Sequence, residues 1–78
     1  MTDNYQNLAN AIVLSAVADY RKALHILSLY PKDKSAEFEK KQIEQFFRSG
    51  YYNLLTSVDG EMLIIKLNEE VKNKEAAI

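Results

Sequence analysis

The chain of 78 residues contains no cysteine, one histidine, one proline and two glycines. Without cysteine it can form neither a disulfide scaffold nor a thiolate zinc site, and the lone histidine has no cluster of metal ligands around it. The two glycines, Gly50 and Gly60, stand too far apart to form a glycine-rich phosphate-binding loop. The remaining routes to a stable fold are tight helix packing and oligomerisation.

A charge of one sign and a long apolar run are also lacking. Ten basic side chains against eleven acidic ones give a net charge of -1, which removes the overall attraction to polyanions that most nucleic-acid binders use. The apolar run from Ala11 to Leu14 is too short to span a bilayer. The start MTDNYQ lacks the basic and apolar regions of a signal peptide. We therefore expect a cytoplasmic protein without a membrane role.

What the sequence does contain is a long helical pattern. Its 47% of hydrophobic residues against 27% charged is the balance of one small globular domain. Near the start, apolar residues recur at alternating steps of four and three, which predicts a heptad seam on one long helix. The seam consists of Ala9, Val13, Ala16, Tyr20, Ala23, Leu27 and Tyr30. Because alanine fills alternate positions, a partner helix can approach closely.

The predicted first helix begins at a cap formed by Asp3 with Gln6 and ends at about Leu29, since proline follows Tyr30. Further apolar residues widen its seam, so that roughly half of the circumference needs cover. They are Leu8, Ile12, Val17, Leu24 and Ile26. Asp19 lies at the edge of this arc, where we predict an ion pair rather than a catalytic acid.

A second helix is predicted from Ser35, as its cap, to about Ser49. Gly50 is expected to close it in the left-handed conformation. A short helical turn should follow over Tyr51–Thr56.

Asp59 can cap a third helix that begins near Glu61. Its apolar face would carry Leu63, Ile64, Leu67 and Val71. The sequence thus predicts an all-α domain over residues 1–78, a small bundle of one long N-terminal helix packed against two or three shorter helices. The tail from about residue 73 should fray.

Two groups of residues are candidates for function. Cations and aromatic rings gather around the break at Gly50, a combination that suits single-stranded nucleic acid. This basic-aromatic cluster consists of Lys40, Lys41, Arg48, Tyr51 and Tyr52. Interleaved glutamates oppose that interpretation, and tyrosines at the rim of the core are the simpler one. Phe38 and Ile65 point away from their own apolar stripes, which makes them candidates for an interface.

Several short motifs together cover about half of the chain. They are Phe46-Phe47-Arg48-Ser49, Leu54-Leu55-Thr56, Asp59-Gly60-Glu61, Leu63-Ile64, and the segment Ala11 to Leu24 with Asp19-Tyr20-Arg21. This pattern resembles that of short proteins encoded by phages and prophages of Gram-positive bacteria. The resemblance implies an accessory protein that works in the host cytoplasm, and it implies no particular activity.

The sequence therefore favours a non-enzymatic protein-interaction module over a nucleic-acid accessory protein, and either over an enzyme. No catalytic, cofactor-binding or metal-ligating residue is predicted, and no small-molecule ligand is indicated. The uncovered arc of the first helix favours a homodimer. The alternative is a monomer in which the turn at Leu54-Leu55 folds back to cover that arc.

Overall fold

The chain folds into four α-helices, as described by a computed structural model for residues 4–76. The helices are α1 (Asn4–Leu29), α2 (Lys34–Phe47), α3 (Gly50–Leu55) and α4 (Gly60–Ala76), and no strand occurs within the described residues. The predicted all-α class, with a long N-terminal helix followed by shorter ones, is confirmed. In the same part of the chain, no helix combines the length and apolarity needed to cross a bilayer. Asp3, the predicted cap of the first helix, lies outside the described residues.

The helices are arranged around α1. The short connection over residues 30–33 returns α2 antiparallel to α1. α4 runs in the same direction as α1, because Asn68 bonds to Tyr20 while Lys74, further along, shares a groove with Leu29. The result is an elongated bundle of 44 × 26 × 18 Å with α1 along its length.

The heptad seam of α1 faces the core. Tyr20 is completely buried, Ala9 and Ala23 are nearly so, and Ala16 is half-buried against the core. Tyr30 is the exception, with 65% of its surface exposed. Its predicted place in the seam is wrong because α1 ends one residue earlier, where the helical period stops.

The width of the apolar arc was overestimated at its N-terminal end. Val17 and Leu24 are buried as predicted, whereas Leu8 is 61% exposed. The 26 residues of α1 span about 39 Å and the 14 residues of α2 only about 21 Å, so α2 does not extend along the first turns of α1. Ala9 is nonetheless buried there, so these turns are covered on the side of the seam and the flank that carries Leu8 is left exposed.

α2 begins earlier than predicted. Asp33, not Ser35, is its cap, and Asp33 Oδ1 accepts a hydrogen bond from the Ala36 backbone N–H at 2.9 Å. Both residue types are good caps and they stand two positions apart, so the sequence alone does not choose between them. The helix ends at Phe47, two residues before Ser49.

The break at Ser49-Gly50 is a helix start rather than a helix stop. No glycine in residues 4–76 has a positive φ, so the predicted left-handed Gly50 is wrong. Ser49 caps α3 instead, and its Oγ accepts a hydrogen bond from the Tyr52 backbone N–H at 3.1 Å. The predicted short helix after the break is confirmed.

α4 begins as the sequence predicts. Asp59 Oδ1 accepts hydrogen bonds from the backbone N–H groups of Glu61 at 2.9 Å and Met62 at 3.1 Å. Ile64 and Leu67 are buried against the core. The backbone is helical through Ala76, and fraying from about residue 73, which concerns motion, stays a prediction.

Candidate functional site

The described residues offer little of the chemistry that an enzyme needs. No three His, Asp or Glu side chains among them lie close enough to hold a metal ion together. His25 is exposed on α1. Asp19 is also exposed and has no ion-pair partner among the described residues, so the predicted ion pair at the edge of the arc is wrong.

A polar network that the sequence analysis missed ties three helices together. The Tyr20 hydroxyl donates to Glu44 Oε2 at 2.6 Å and accepts from Asn68 Nδ2 at 3.0 Å. Asn68 Nδ2 also donates to the Ile64 backbone carbonyl at 2.8 Å. Burial raises the pKa of Tyr20 above its ordinary value, and the hydrogen bond to Glu44 raises it further. The hydroxyl therefore stays protonated and holds α2 and α4 against α1.

One signal could have pointed to this network. A tyrosine in an otherwise aliphatic and alanine seam needs a partner for its hydroxyl when it is buried. Glu44 is a charged residue of α2 that would be expected on the outside, yet its side chain is only 16% exposed. Which side of α2 reaches Tyr20 depends on the angle at which α2 crosses α1. The spacing of apolar residues along the sequence does not predict that angle.

The aromatic part of the basic-aromatic cluster divides between core and surface. Tyr52 is completely buried, with its ring edge-on to Phe46 and Phe47 at 5.7 Å between centroids. Tyr51 is 54% exposed and lies edge-on to Phe46 at 6.0 Å. Of the two rings, Tyr51 alone presents a surface on which a base could stack.

Each cation of the cluster lies beside a carboxylate. Arg48 forms a two-pronged ion pair with Glu61, and the hydrogen bond from its guanidinium raises the pKa of Arg48. Lys40 Nζ lies 3.7 Å from Glu44 Oε2. Lys41 makes a similar pair on the exposed side of α2, at 3.6 Å from Glu37 Oε1. A phosphate would have to compete with these partners for every cation in the cluster.

The buried Tyr52 hydroxyl makes no hydrogen bond with any described residue. Burial raises the pKa of Tyr52, and the negative charge of Asp59 raises it further, so the hydroxyl remains neutral. We expect Tyr52→Phe to increase the free energy of unfolding by about 1 kcal/mol, because it removes a polar group that is buried without a partner. In a domain of this size that raises the thermal midpoint by about 4 to 8 °C.

Tyr51→Phe is the matched control for this prediction. The Tyr51 hydroxyl belongs to a half-exposed side chain in the same turn, so its removal should leave the midpoint nearly unchanged. Thermal melts followed by circular dichroism compare the two variants. A lower midpoint for Tyr52→Phe than for the parent chain would show that the hydroxyl has a stabilising partner.

The two candidate interface residues lie on different surfaces. Phe38 is 66% exposed and lies on the side of α2 opposite Phe47, the buried ring of that helix. Ile65 is 50% exposed and lines a groove of about 530 Å³ between α2 and α4, which we call the α2/α4 groove. Leu24 and Leu27 of α1 form the apolar floor of this groove, where α2 and α4 diverge. Both predicted residues are available for contact.

The chain was compared with protein-family models, with curated proteins and with solved structures. The functional argument starts from the surface described above, since no family model, curated protein or solved structure matches this chain.

Proposed function

We propose that this chain is a non-enzymatic helical module that binds other polypeptides through its exposed apolar surfaces, a second copy of itself among them. The observation that carries the proposal is the balance between surface and core. Eleven large apolar side chains are at least half exposed, as many as the residues that make up the buried core. Each such side chain is ordinary on a protein surface when it stands alone, and together they provide apolar area that a partner could bury.

These side chains occur on all four helices, from Leu8 near the start of α1 to Leu29 at its end, so they do not by themselves single out one binding surface. The α2/α4 groove adds a concave apolar floor of the shape that accepts a helix from a partner. A homodimer through Phe38 or Ile65 would bury part of this surface.

Binding of nucleic acid through the basic-aromatic cluster is the weaker proposal. It rests on the exposed ring of Tyr51, because Tyr52 is buried and Lys41 and Arg48 are each paired with a glutamate. The net charge of -1 gives no overall attraction to phosphates. We retain it as the alternative function, which titration of the chain with a labelled single-stranded oligonucleotide at low and moderate salt tests.

The cellular setting remains a proposal that rests on the resemblance to phage and prophage proteins. An accessory protein of that kind would act in the cytoplasm of a bacterial host and would need no cofactor. The exposed apolar side chains and the grooves would be the surfaces through which such a protein contacts its partner.

Self-association is the direct test of the proposed function. In sedimentation equilibrium from low to high micromolar concentration, we expect the apparent mass to rise from 9.0 kDa towards that of two chains. Phe38→Ser or Ile65→Ser should hold the mass at one chain, because serine removes apolar surface from the contact. A parent chain that stays at one-chain mass throughout would contradict the homodimer.

Gln42→Ser is the control for these variants. Gln42 is exposed on α2, so the substitution changes the same helix without removing apolar surface. Dimerisation should survive it. Equal loss of dimer in all three variants would show that altered helix stability, rather than a lost contact, explains the effect.

A further inference from the structure

A second groove lies on the other side of α4, between that helix and the outer side of α1. It has a volume of about 440 Å³, and we call it the α1/α4 groove. Leu29 of α1 and Val71 of α4 provide its apolar surface. Leu29 is 60% exposed, so its side chain is available to a ligand in this groove.

Charge distinguishes this groove from the rest of the surface. Three of its lining residues, Arg21, Lys22 and Lys74, are cationic, and Glu70 is the one carboxylate among the described lining residues. Glu70 is already engaged, since its two oxygens accept from Arg21 Nε at 2.8 Å and Nη2 at 3.3 Å. The hydrogen bond from Arg21 lowers the pKa of Glu70, so this pair stays ionised and neutral as a whole.

Three cations against one carboxylate leave the groove with an excess of two positive charges, although the charge of Lys74 also acts on Glu70. Lys22 comes from α1 and Lys74 from α4, and neither forms an ion pair with a described side chain. The whole chain carries a net charge of -1, so this groove is a local positive site on a slightly negative protein. The α2/α4 groove has a smaller excess of positive charge, because its lining contains two lysines and one glutamate and its Lys40 is paired with Glu44.

We propose that the α1/α4 groove binds an acidic amphipathic helix of a partner protein, with apolar side chains on Leu29 and Val71 and carboxylates beside Lys22 and Lys74. Two parallel helices leave between them a groove that a third helix can enter with its ridge of side chains. The opposite charges on the two walls favour a partner whose carboxylates flank an apolar stripe. This inference rests on the proposed function and names the chemistry of one partner.

A nucleic acid fits the same groove less well. His25 is the one aromatic ring among its described lining residues, so successive bases of a single strand would not find a series of rings on which to stack. If a nucleic acid bound in the α1/α4 groove, the apolar side chains of Leu29 and Val71 would lie against its phosphates and sugars. An acidic helix, by contrast, uses both the floor and the walls.

The test uses three designed helical peptides and the full chain. The first carries leucines at helical spacing flanked by glutamates, the second has lysine in place of each glutamate, and the third has serine in place of each leucine. We expect the first alone to bind, in calorimetric titrations, and to shift the backbone amide signals of residues 21–29 and 70–74 in NMR spectra. Equal binding by either of the other two would overturn the proposal.

Charge reversal on the protein provides the second arm. We expect the double variant Lys22→Glu, Lys74→Glu to weaken binding of the acidic peptide by about tenfold or more. The control is Lys34→Glu, Lys66→Glu, which makes the same change of charge at exposed positions that do not line the groove. If both double variants weaken binding equally, the effect comes from the overall charge of the protein and the proposal is wrong. The proposal is also wrong if Lys22→Glu, Lys74→Glu leaves binding unchanged.

Two further measurements separate this inference from its alternatives. A single-stranded oligonucleotide that binds this groove more tightly than the acidic peptide would identify a nucleic acid as the occupant. If the chain forms a dimer in sedimentation but does not bind the acidic peptide, the proposed acidic partner is wrong and the proposed protein-binding function is retained. If the acidic peptide binds and the chain stays at one-chain mass at all concentrations, the proposed homodimer is wrong and the proposed acidic partner is supported.

Discussion

Gly60→Ala is expected to destabilise the fold by about 3 kcal/mol or more, the high end of the cost of overpacking. A Cβ atom at Gly60 would lie 2.0 Å from the backbone carbonyl oxygen of Phe47 and 3.0 Å from its carbonyl carbon. These are backbone atoms at the end of α2, so no side-chain rotation relieves the contact. The start of α4 would have to move away from α2, and that would disturb the packing of Tyr52 between them.

Gly50→Ala is the matched control, and its expected effect has the opposite sign. A Cβ atom at Gly50 would meet nothing within 4 Å, and Gly50 has no positive φ. Alanine there restricts the unfolded chain without straining the folded one, which stabilises by about 0.4 to 1 kcal/mol. Urea unfolding followed by circular dichroism gives both free energies. A Gly60→Ala chain as stable as the parent would show that α2 and α4 do not approach each other this closely.

This close approach was not visible in the sequence. Gly50 and Gly60 are both preceded by a residue that can cap a helix, Ser49 and Asp59, and both begin a helix. In the sequence, Gly50 resembles a helix stop because it follows the apolar pattern of α2, and that interpretation was wrong. The one that matters for packing is Gly60, and its role depends on where the end of α2 lies in space.

The parts of the fold that the sequence does predict are those governed by local rules. The heptad period placed Tyr20 and Ala23 in the core, the proline after Tyr30 ended α1, and Asp59 capped α4. Each follows from a property of a few neighbouring residues. The angle between helices is not of this kind, which is why the bond from Tyr20 to Glu44 was missed.

The candidate surfaces also divide into features that local sequence patterns predict and features that depend on how the helices are arranged. Exposure of Phe38 and Ile65 follows from the helical period, and both are exposed. The α1/α4 groove joins residues about fifty positions apart, such as Arg21 and Glu70, and only the parallel arrangement of α1 and α4 brings them together. The basic-aromatic cluster looked coherent along the chain, but the cap at Ser49 turns Tyr52 into the core and leaves Tyr51 outside.

Phe47→Ala should cost about 3 to 5 kcal/mol, as expected for removing a buried aromatic ring. Phe47 is 1% exposed and lies at the centre of the aromatic core, with its ring 5.6 Å from that of Tyr20 and 5.7 Å from that of Tyr52. It therefore links α2 to both α1 and α3. Small domains are stable by only about 5 kcal/mol or a little more, so this variant would be close to unfolded at room temperature.

Phe38→Ala removes the same ring from the exposed side of the same helix. Because Phe38 is 66% exposed, its loss should change the free energy of unfolding by no more than about 0.5 kcal/mol. Urea unfolding at low protein concentration keeps any effect on self-association out of the comparison. Phe47→Leu, a milder truncation, supplies an intermediate value if the alanine variant does not fold. Equal costs at positions 38 and 47 would mean that α2 presents a different face to α1, and the seam of α1 would then need another partner.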